Sequence, residues 1–170
     1  MLSTEQSKIL RSMLLALLTA LLVTAVAIVF PFNWQLGRVE SYLFALILPT
    51  CSYVICIGRI ASLRFFDESV SNPLLALDNI KLNTLKQYLS NTHEQLFLAV
   101  IAYALLSWTL PIEHIYLVFL FSVCFVLGRL LFANGYSRGA GGRSLGFALT
   151  FYSNIVGFVI GLVFLLKNII

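Results

Sequence analysis

The chain has 170 residues, of which 60% are hydrophobic and 11% are charged, and its mean hydropathy is +0.96. Because the apolar residues come in long blocks, this composition excludes a soluble domain and indicates an all-α, integral, multi-pass membrane protein. The net charge of +4 comes from basic residues between apolar segments. It therefore indicates orientation in the lipid bilayer and not a nucleic-acid partner. Cys51, Cys56 and Cys124 lie inside apolar runs without metal-ligand or disulfide spacing, so no metal site is predicted.

The first apolar segment runs from Met13 to Phe32, which is about the 20 residues that cross a bilayer as a helix. A signal peptide is the alternative, and Ala25 to Ala27 would serve as its cleavage site. Because the apolar run continues past that site, we interpret the segment as a retained transmembrane helix.

The second span runs from about Ser41 to Arg59, and Pro49 is expected to kink it. A polar segment from Ser62 to Lys86 follows. We predict this segment to be the longest loop of the protein, one that is mobile or covers part of the molecule.

The third span has an uninterrupted apolar run only from Leu96 to Leu110. A helix rises about 1.5 Å per residue, so this run is too short to cross a hydrocarbon core of about 30 Å, and the helix must begin upstream. Gln87, Asn91 and Glu94 then share one helical face in or near the membrane. An ionisable residue at that depth indicates a functional site facing the interior of the helical bundle. The alternative is a polar clamp that only fixes the register of the helices.

The fourth span runs from Pro111 to about Leu131, and its continuation carries Arg129, Phe132 and Tyr136. The spacing of these last three residues puts them on one face if the helix persists. A glycine-rich segment then ends the helix.

The fifth span runs from Leu145 to Leu166, with Arg143 at its head, where free backbone N–H groups add positive potential. Together with Arg129 and Arg138, Arg143 suggests a cationic pocket at the membrane surface. The alternative is that these arginines snorkel in a positively charged cytoplasmic loop.

The basic residues favour one orientation of the five spans. With the N-terminus in the cytoplasm, the inner segments hold nine of the 11 basic residues: Lys8, Arg11, Arg59, Arg64, Lys81, Lys86, Arg129, Arg138 and Arg143. The polar stretches 87–94 and 129–143 then both lie on the cytoplasmic side.

Three segments carry a resemblance to a known family: NTHEQ at 91–95, GRLLFANGY at 128–136 and RSLGF at 143–147. They resemble the MAPEG family, the membrane-associated proteins in eicosanoid and glutathione metabolism. The resemblance covers about residues 41–166. It implies a left-handed four-helix membrane domain over residues 41–170, preceded by an extra transmembrane helix and its connection over residues 1–40. It also implies a homotrimer that binds glutathione between subunits near the cytoplasmic face.

The resemblance also implies roles for individual residues. Glutathione offers carboxylates, an ammonium and a thiol. Arginine forks suit the carboxylates, a carboxylate such as Glu94 suits the ammonium, and a cationic neighbour suits the thiol by favouring its thiolate. Arg143 matches the arginine that stabilises the thiolate in family enzymes. The sequence departs from the family pattern at Gln87, where active members commonly have arginine, and at Phe132, where some have tyrosine or histidine. By resemblance, Asn91, Glu94, Arg129 and Tyr136 fall on glutathione-binding positions, and Gln87 is assigned to the same set in place of the arginine.

Three functions follow as hypotheses. The first is a glutathione-dependent membrane transferase or peroxidase that acts on lipophilic electrophiles or lipid hydroperoxides entering from the bilayer. The second is a non-catalytic, MAPEG-like membrane protein whose polar residues bind lipid headgroups or brace a trimer. The third is a channel or transporter, for which only Glu94 offers a buried pathway charge.

Overall fold

The computed structural model describes residues 3–72 and 79–170, and the regular elements in these ranges are all helical. Short 3₁₀ turns at Ile112–His114 and Tyr136–Arg138 precede the last two helices. The six α-helices are α1 Thr4–Val29, α2 Arg38–Phe66, α3 Glu68–Ser71, α4 Ile80–Thr109, α5 Leu117–Gly135 and α6 Gly139–Ile169.

Polar side chains cap the starts of α1 and α4. Ser3 and Gln6 form a reciprocal capping box at the start of α1, in which each side chain accepts a hydrogen bond from the other's backbone N–H. The side chain of Asn79 caps α4 by accepting a 2.9 Å hydrogen bond from the backbone N–H of Leu82. The start of α4 at Ile80 confirms that this helix begins well upstream of its apolar run.

The polar segment from Ser62 to Lys86 is not the long loop that its composition predicts. Helix α2 continues to Phe66, α3 follows almost at once, and α4 already contains residues 80–86. Residues 73–78, the middle of the predicted loop, lie outside the described residues. The prediction was wrong at both ends of the segment, because polar residues continue these helices beyond their apolar parts. Helix α2 also runs through Pro49 without interruption.

Within the described ranges, three stretches are long and apolar enough to cross a membrane: Thr4–Val29, Arg38–Phe66 and Ile112–Ile169. The third stretch contains both α5 and α6. Helix α4 is not among them, because polar residues fill its first half. These helices make the chain an integral membrane protein.

Helix α6 lies at the centre of the packing and contacts α1, α4 and α5, while α2 packs against α4 and α5. The main core is formed by fully buried side chains of α4 and α5, among them Tyr103, Leu106, Phe121 and Phe125. Asn154 of α6 donates a buried 3.0 Å hydrogen bond from Nδ2 to the Gln95 carbonyl of α4. This bond and the apolar core together hold α4 and α6 in register.

A glycine allows α5 and α6 to approach each other closely. A Cβ atom on Gly146 would collide with the backbone N of Phe132 and would lie 2.6 Å from the Gly128 carbonyl oxygen. Both obstacles are backbone atoms and cannot move aside cheaply. Gly146 therefore sets the distance at which α6 faces the polar residues of α5.

Arg38 ties the start of α2 to the end of α4. Its Nη1 donates hydrogen bonds of 2.7 Å and 2.9 Å to the carbonyls of Ser107 and Leu110, which lie at the C-terminal end of α4. A cation there complements the partial negative charge of a helix C-terminus. Helices α2 and α4 therefore run antiparallel, and the start of α4 lies beside the end of α2.

Candidate functional site

A cavity of about 420 Å³ lies between the N-terminal half of α1, the start of α4, the end of α5 and the start of α6. This size lies within the range of about 300–1,000 Å³ that is usual for small-molecule sites. Four of the six site residues predicted from the sequence line it: Gln87, Asn91, Tyr136 and Arg143. Its other lining residues are Ile9, Met13, Phe132, Ala140, Ser144, Phe147, Ala148, Phe151 and Tyr152.

Arg143 and Tyr136 face each other across the turn between α5 and α6. The Cζ atom of Arg143 lies 4.9 Å from the centroid of the Tyr136 ring. This is cation–π distance. Among the described residues, the Arg143 guanidinium donates no hydrogen bond, and its side chain is half-buried. Its N–H groups therefore remain free to bind an anion in the cavity.

Gly139 forms the sharp turn that brings Arg143 to this position. Its φ of 77° lies in the left-handed region that favours glycine. Helix α6 begins at this residue. The backbone N–H of Gly141, in the first turn of α6, donates a 3.2 Å hydrogen bond to Oε1 of Glu5 in α1. The first turn of α1 is thereby fixed beside the cavity, where Ile9 and Met13 form part of the wall.

Arg129 is the most completely enclosed charged residue among those described, with 1% of its surface exposed. Its Nη1 donates a 2.7 Å hydrogen bond to Oδ1 of Asn91. Its Nε and Nη2 donate hydrogen bonds of 3.2 Å and 3.0 Å to Oγ1 of Thr150. The guanidinium therefore links α4, α5 and α6, and its hydrogen bonds go to the protein itself.

Aromatic rings enclose the Arg129 guanidinium. Its Cζ lies 4.9 Å from the ring centroid of Phe132 and 5.8 Å from that of Phe125. The Phe132 ring in turn meets the Tyr136 ring edge-on, at 5.6 Å between centroids. These contacts confirm that Arg129, Phe132 and Tyr136 share one face. They do so although α5 ends at Gly135 and Tyr136 begins a 3₁₀ turn.

Asn91 connects the buried arginine to the cavity. Its Oδ1 accepts the bond from Arg129, which leaves its Nδ2 as a donor with no partner among the described residues. Because Asn91 lines the cavity, this amide can serve a ligand. Gln87, one helical turn earlier, lines the same cavity and is exposed.

Glu94 does not join this group. In the single chain its side chain is exposed, it does not line the cavity, and its Oε1 accepts only a long 3.5 Å hydrogen bond from Ser90. The expectation that Glu94 faces the bundle interior was wrong for the single chain. The buried face of α4 instead follows Thr92, Gln95 and Ala99, and Asn91 lies at its edge. His93 is exposed and contacts the Tyr53 ring.

A family model, that of the MAPEG family, matches residues 9–163. The chain belongs to the MAPEG family. No curated protein and no solved structure matches the chain.

The MAPEG match begins at residue 9, inside α1. The resemblance carried by the three sequence motifs begins only at about Ser41. The MAPEG match therefore includes every residue that lines the cavity, from Ile9 to Tyr152. Gln87 and Phe132, the two positions at which the resemblance implies a different residue, both line the cavity.

Several residues of the site were missed by the sequence analysis. Thr150, the partner of Arg129, is buried one helical turn after Gly146, and its hydroxyl also donates to the Gly146 carbonyl. Tyr88 of α4 donates a 3.0 Å hydrogen bond to the Arg129 carbonyl. No local pattern marks either residue, because each acts on a helix distant in sequence. In the described ranges, no three His, Cys, Asp or Glu side chains are arranged to hold a metal ion.

Proposed function

We propose that this protein is a glutathione-dependent membrane transferase or peroxidase that acts on lipophilic electrophiles or lipid hydroperoxides. The observation that carries the proposal is Arg143. Its guanidinium lies over the Tyr136 ring in the wall of a ligand-sized cavity and has no hydrogen-bond partner among the described residues. A free thiol has a pKa of about 8.5, and a neighbouring guanidinium favours its thiolate at neutral pH.

The rest of the cavity suits a small peptide. The amides of Asn91 and Gln87 offer donors and acceptors for peptide groups, and the Tyr136 hydroxyl can donate to a carboxylate. Arg129 is committed to Asn91 and Thr150, so its role is to hold the Asn91 amide in place. This differs from the direct contact with glutathione that the family resemblance implies.

The second substrate would meet the thiolate from the apolar side of the same cavity. Phe147, Phe151 and Met13 form much of that side, and Phe147 is 37% exposed, so an apolar molecule can enter from lipid. In a transferase, the thiolate attacks an electrophilic carbon and forms a C–S bond while the leaving group departs with its electrons. With a hydroperoxide, the sulfur takes the terminal oxygen and the alcohol leaves. A second glutathione then converts the sulfenic acid to a disulfide and water.

The assembly is part of the same proposal. Helices α2, α4, α5 and α6 would form the left-handed four-helix domain, α1 would be the additional span, and the N-terminus and cavity would lie on the cytoplasmic side. Three copies would associate. The exposed Glu94 of each chain would then lie at the seam between subunits, where it could contact glutathione bound between them. Light scattering corrected for detergent should then give the mass of three chains.

A second candidate is a non-catalytic membrane protein in which the same polar residues serve structure. The buried network of Arg129, Asn91 and Thr150 supports it, because the hydrogen bonds of this network join three helices to one another. Gln87, which stands where active MAPEG members commonly have arginine, also supports it.

A thermal-shift experiment separates the two candidates. A ligand that binds only the native state raises apparent stability in proportion to the logarithm of its concentration. Purified protein in detergent should melt at a higher temperature with millimolar glutathione than with S-methylglutathione, which has the same peptide and no ionisable thiol. If neither compound shifts the melting temperature, the enzyme proposal is wrong and the structural candidate stands.

A further inference from the structure

A second concave surface lies on the other side of α5, between α2 and α4. It consists of two adjoining cavities of about 300 Å³ and about 450 Å³, which share Ile55, Arg59 and Leu85 as lining residues. We call this surface the α2–α4 groove. It shares Tyr136 with the cavity of the candidate site. Arg129 also lines its inner end, but Arg143 does not line it.

The inner end of the α2–α4 groove is mainly apolar. Side chains of α2 and α5 form its walls, including Ile55, Val126, Leu130 and Ala133. Leu130 is 57% exposed and Ile55 is 64% exposed, so this end of the groove is open at the surface of the helices. In a membrane protein such a surface meets the acyl chains of lipids.

The outer end of the groove is cationic. Arg59 of α2 and Lys81 in the first turn of α4 both line it, and both side chains are exposed. Neither forms a hydrogen bond or an ion pair with any described residue. The described residues that line the two cavities include no aspartate or glutamate. Within the described part of the chain, these two positive charges therefore have no counter-charge in the groove.

The position of Arg59 along α2 matches the depth of a lipid headgroup. Arg38 and Arg59 belong to one continuous helix, and their 21-residue separation corresponds to about 31 Å of helix. This is close to the hydrocarbon thickness of about 30 Å, so the two arginines lie near opposite interfaces. Lys81 lies on the Arg59 side, because α4 runs antiparallel to α2.

We propose that the α2–α4 groove binds an anionic phospholipid of the bilayer. The phosphate group lies between Arg59 and Lys81, and one acyl chain follows the apolar wall past Ile55 and Leu130. Basic pockets between transmembrane helices favour anionic headgroups, and the guanidinium of Arg59 can bind phosphate through two parallel hydrogen bonds. A zwitterionic lipid with the same chains adds a cationic group that Arg59 and Lys81 would repel.

The test measures phospholipid retained by the full-length protein. The protein is extracted into mild detergent from vesicles with equal amounts of phosphatidylglycerol and phosphatidylcholine that have identical acyl chains. Native mass spectrometry then counts the lipids bound to each chain. Wild-type protein should retain phosphatidylglycerol in preference to phosphatidylcholine. The double variant Arg59→Gln with Lys81→Gln should lose at least roughly tenfold of that retention, because each basic residue near the surface contributes to anionic-lipid affinity.

Two further variants identify the groove as the binding site. Arg64→Gln with Lys86→Gln removes the same charges from the same two helices, but these residues line a different cavity, so retention should stay as in wild type. Ala133→Phe fills the apolar end without changing the charge, and it should reduce retention. Equal loss from the two charge-removing double variants would show that general surface charge holds the lipid, and would overturn the proposal. Unchanged retention in Ala133→Phe would overturn the role of the apolar wall.

Two soluble competitors and one variant distinguish this site from the glutathione site. Glycerol 3-phosphate, which has the headgroup chemistry without acyl chains, should displace little phosphatidylglycerol at millimolar concentration. Glutathione should not displace it either, and Arg143→Ala should retain it as wild type does. Displacement by glutathione would instead assign the α2–α4 groove to the peptide.

Discussion

The guanidinium of Arg129 and the side-chain amide of Asn91, 38 residues apart in sequence, are joined by a 2.7 Å hydrogen bond beside the candidate site. Thr150, on α6, accepts two further hydrogen bonds from the same guanidinium, one from Nε and one from Nη2. An arginine that is 1% exposed in a membrane protein is costly unless its donors are satisfied. The pairing therefore has two consequences, one for stability and one for the position of the Asn91 amide.

Arg129→Lys should lower the free energy of unfolding by roughly 1–3 kcal/mol, because an ammonium keeps the charge but cannot reproduce the fork that serves two partners. The measurement is thermal unfolding in detergent. Arg138→Lys is the matched control, since Arg138 is exposed on the neighbouring turn. Equal melting temperatures for the two variants would show that the buried network contributes nothing to stability.

Gly146→Ala should also destabilise the protein by roughly 1–3 kcal/mol, the usual effect of overpacking. The added methyl group meets the backbone of Phe132 and Gly128, which cannot rotate away. Gly58→Ala is the control in α2, where a Cβ atom meets no other atom within 4 Å and alanine favours the helix. If both substitutions stabilise the protein, α5 and α6 do not pack as closely as described.

Helical periodicity shows which residues share a face but not what lies opposite that face. It placed Gln87, Asn91 and Glu94 together, yet Gln87 and Asn91 line the cavity and Glu94 does not. The difference arises because the buried face of α4 follows Thr92 and Gln95, about 100° further round the helix. The packing of α2 and α6 against α4 decides this, and no local sequence pattern predicts it.

The length of the apolar runs predicted the ends of the helices more reliably than the polarity of the segments between them. The short run of the third span correctly predicted a helix that begins upstream, because a helix must be long enough to cross the bilayer. Polarity alone failed for residues 62–66 and 80–86, which are helical. Polar residues are compatible with a helix that projects beyond the hydrocarbon core, so they do not by themselves indicate a loop.

The orientation of the protein can be tested by cysteine labelling in intact cells. In a background without native cysteines, cysteine at Ser137 or Ser71 should react with a membrane-impermeant reagent only after the cells are opened. Cysteine at Gln35, in the connection between α1 and α2, should react in intact cells. This pattern follows from the excess of basic residues on the inner segments. Labelling of Ser137→Cys from outside intact cells would reverse the assigned orientation.

The last prediction concerns Arg143, whose free guanidinium carries the proposed function. An interaction with the thiolate affects one protonation state of the thiol, so it should change thiol acidity more than peptide affinity. Arg143→Ala should abolish the ultraviolet absorbance of bound glutathione thiolate while most of the affinity remains. Arg143→Lys should restore part of the absorbance, because an ammonium keeps the charge without the fork.

Asn91→Ala provides the opposite case, since it removes an amide that lines the cavity but leaves Arg143 in place. It should weaken glutathione binding by roughly 1–3 kcal/mol, the cost of losing a buried hydrogen-bonding partner, with the thiolate signal still present at saturation. Because Asn91 also accepts a hydrogen bond from Arg129, the melting temperature of the Asn91→Ala variant must be measured alongside glutathione binding. If Arg143→Ala and Asn91→Ala change only the melting temperature, and wild-type protein shows no thiolate absorbance with millimolar glutathione, Arg143 has a structural role and the enzyme proposal is wrong.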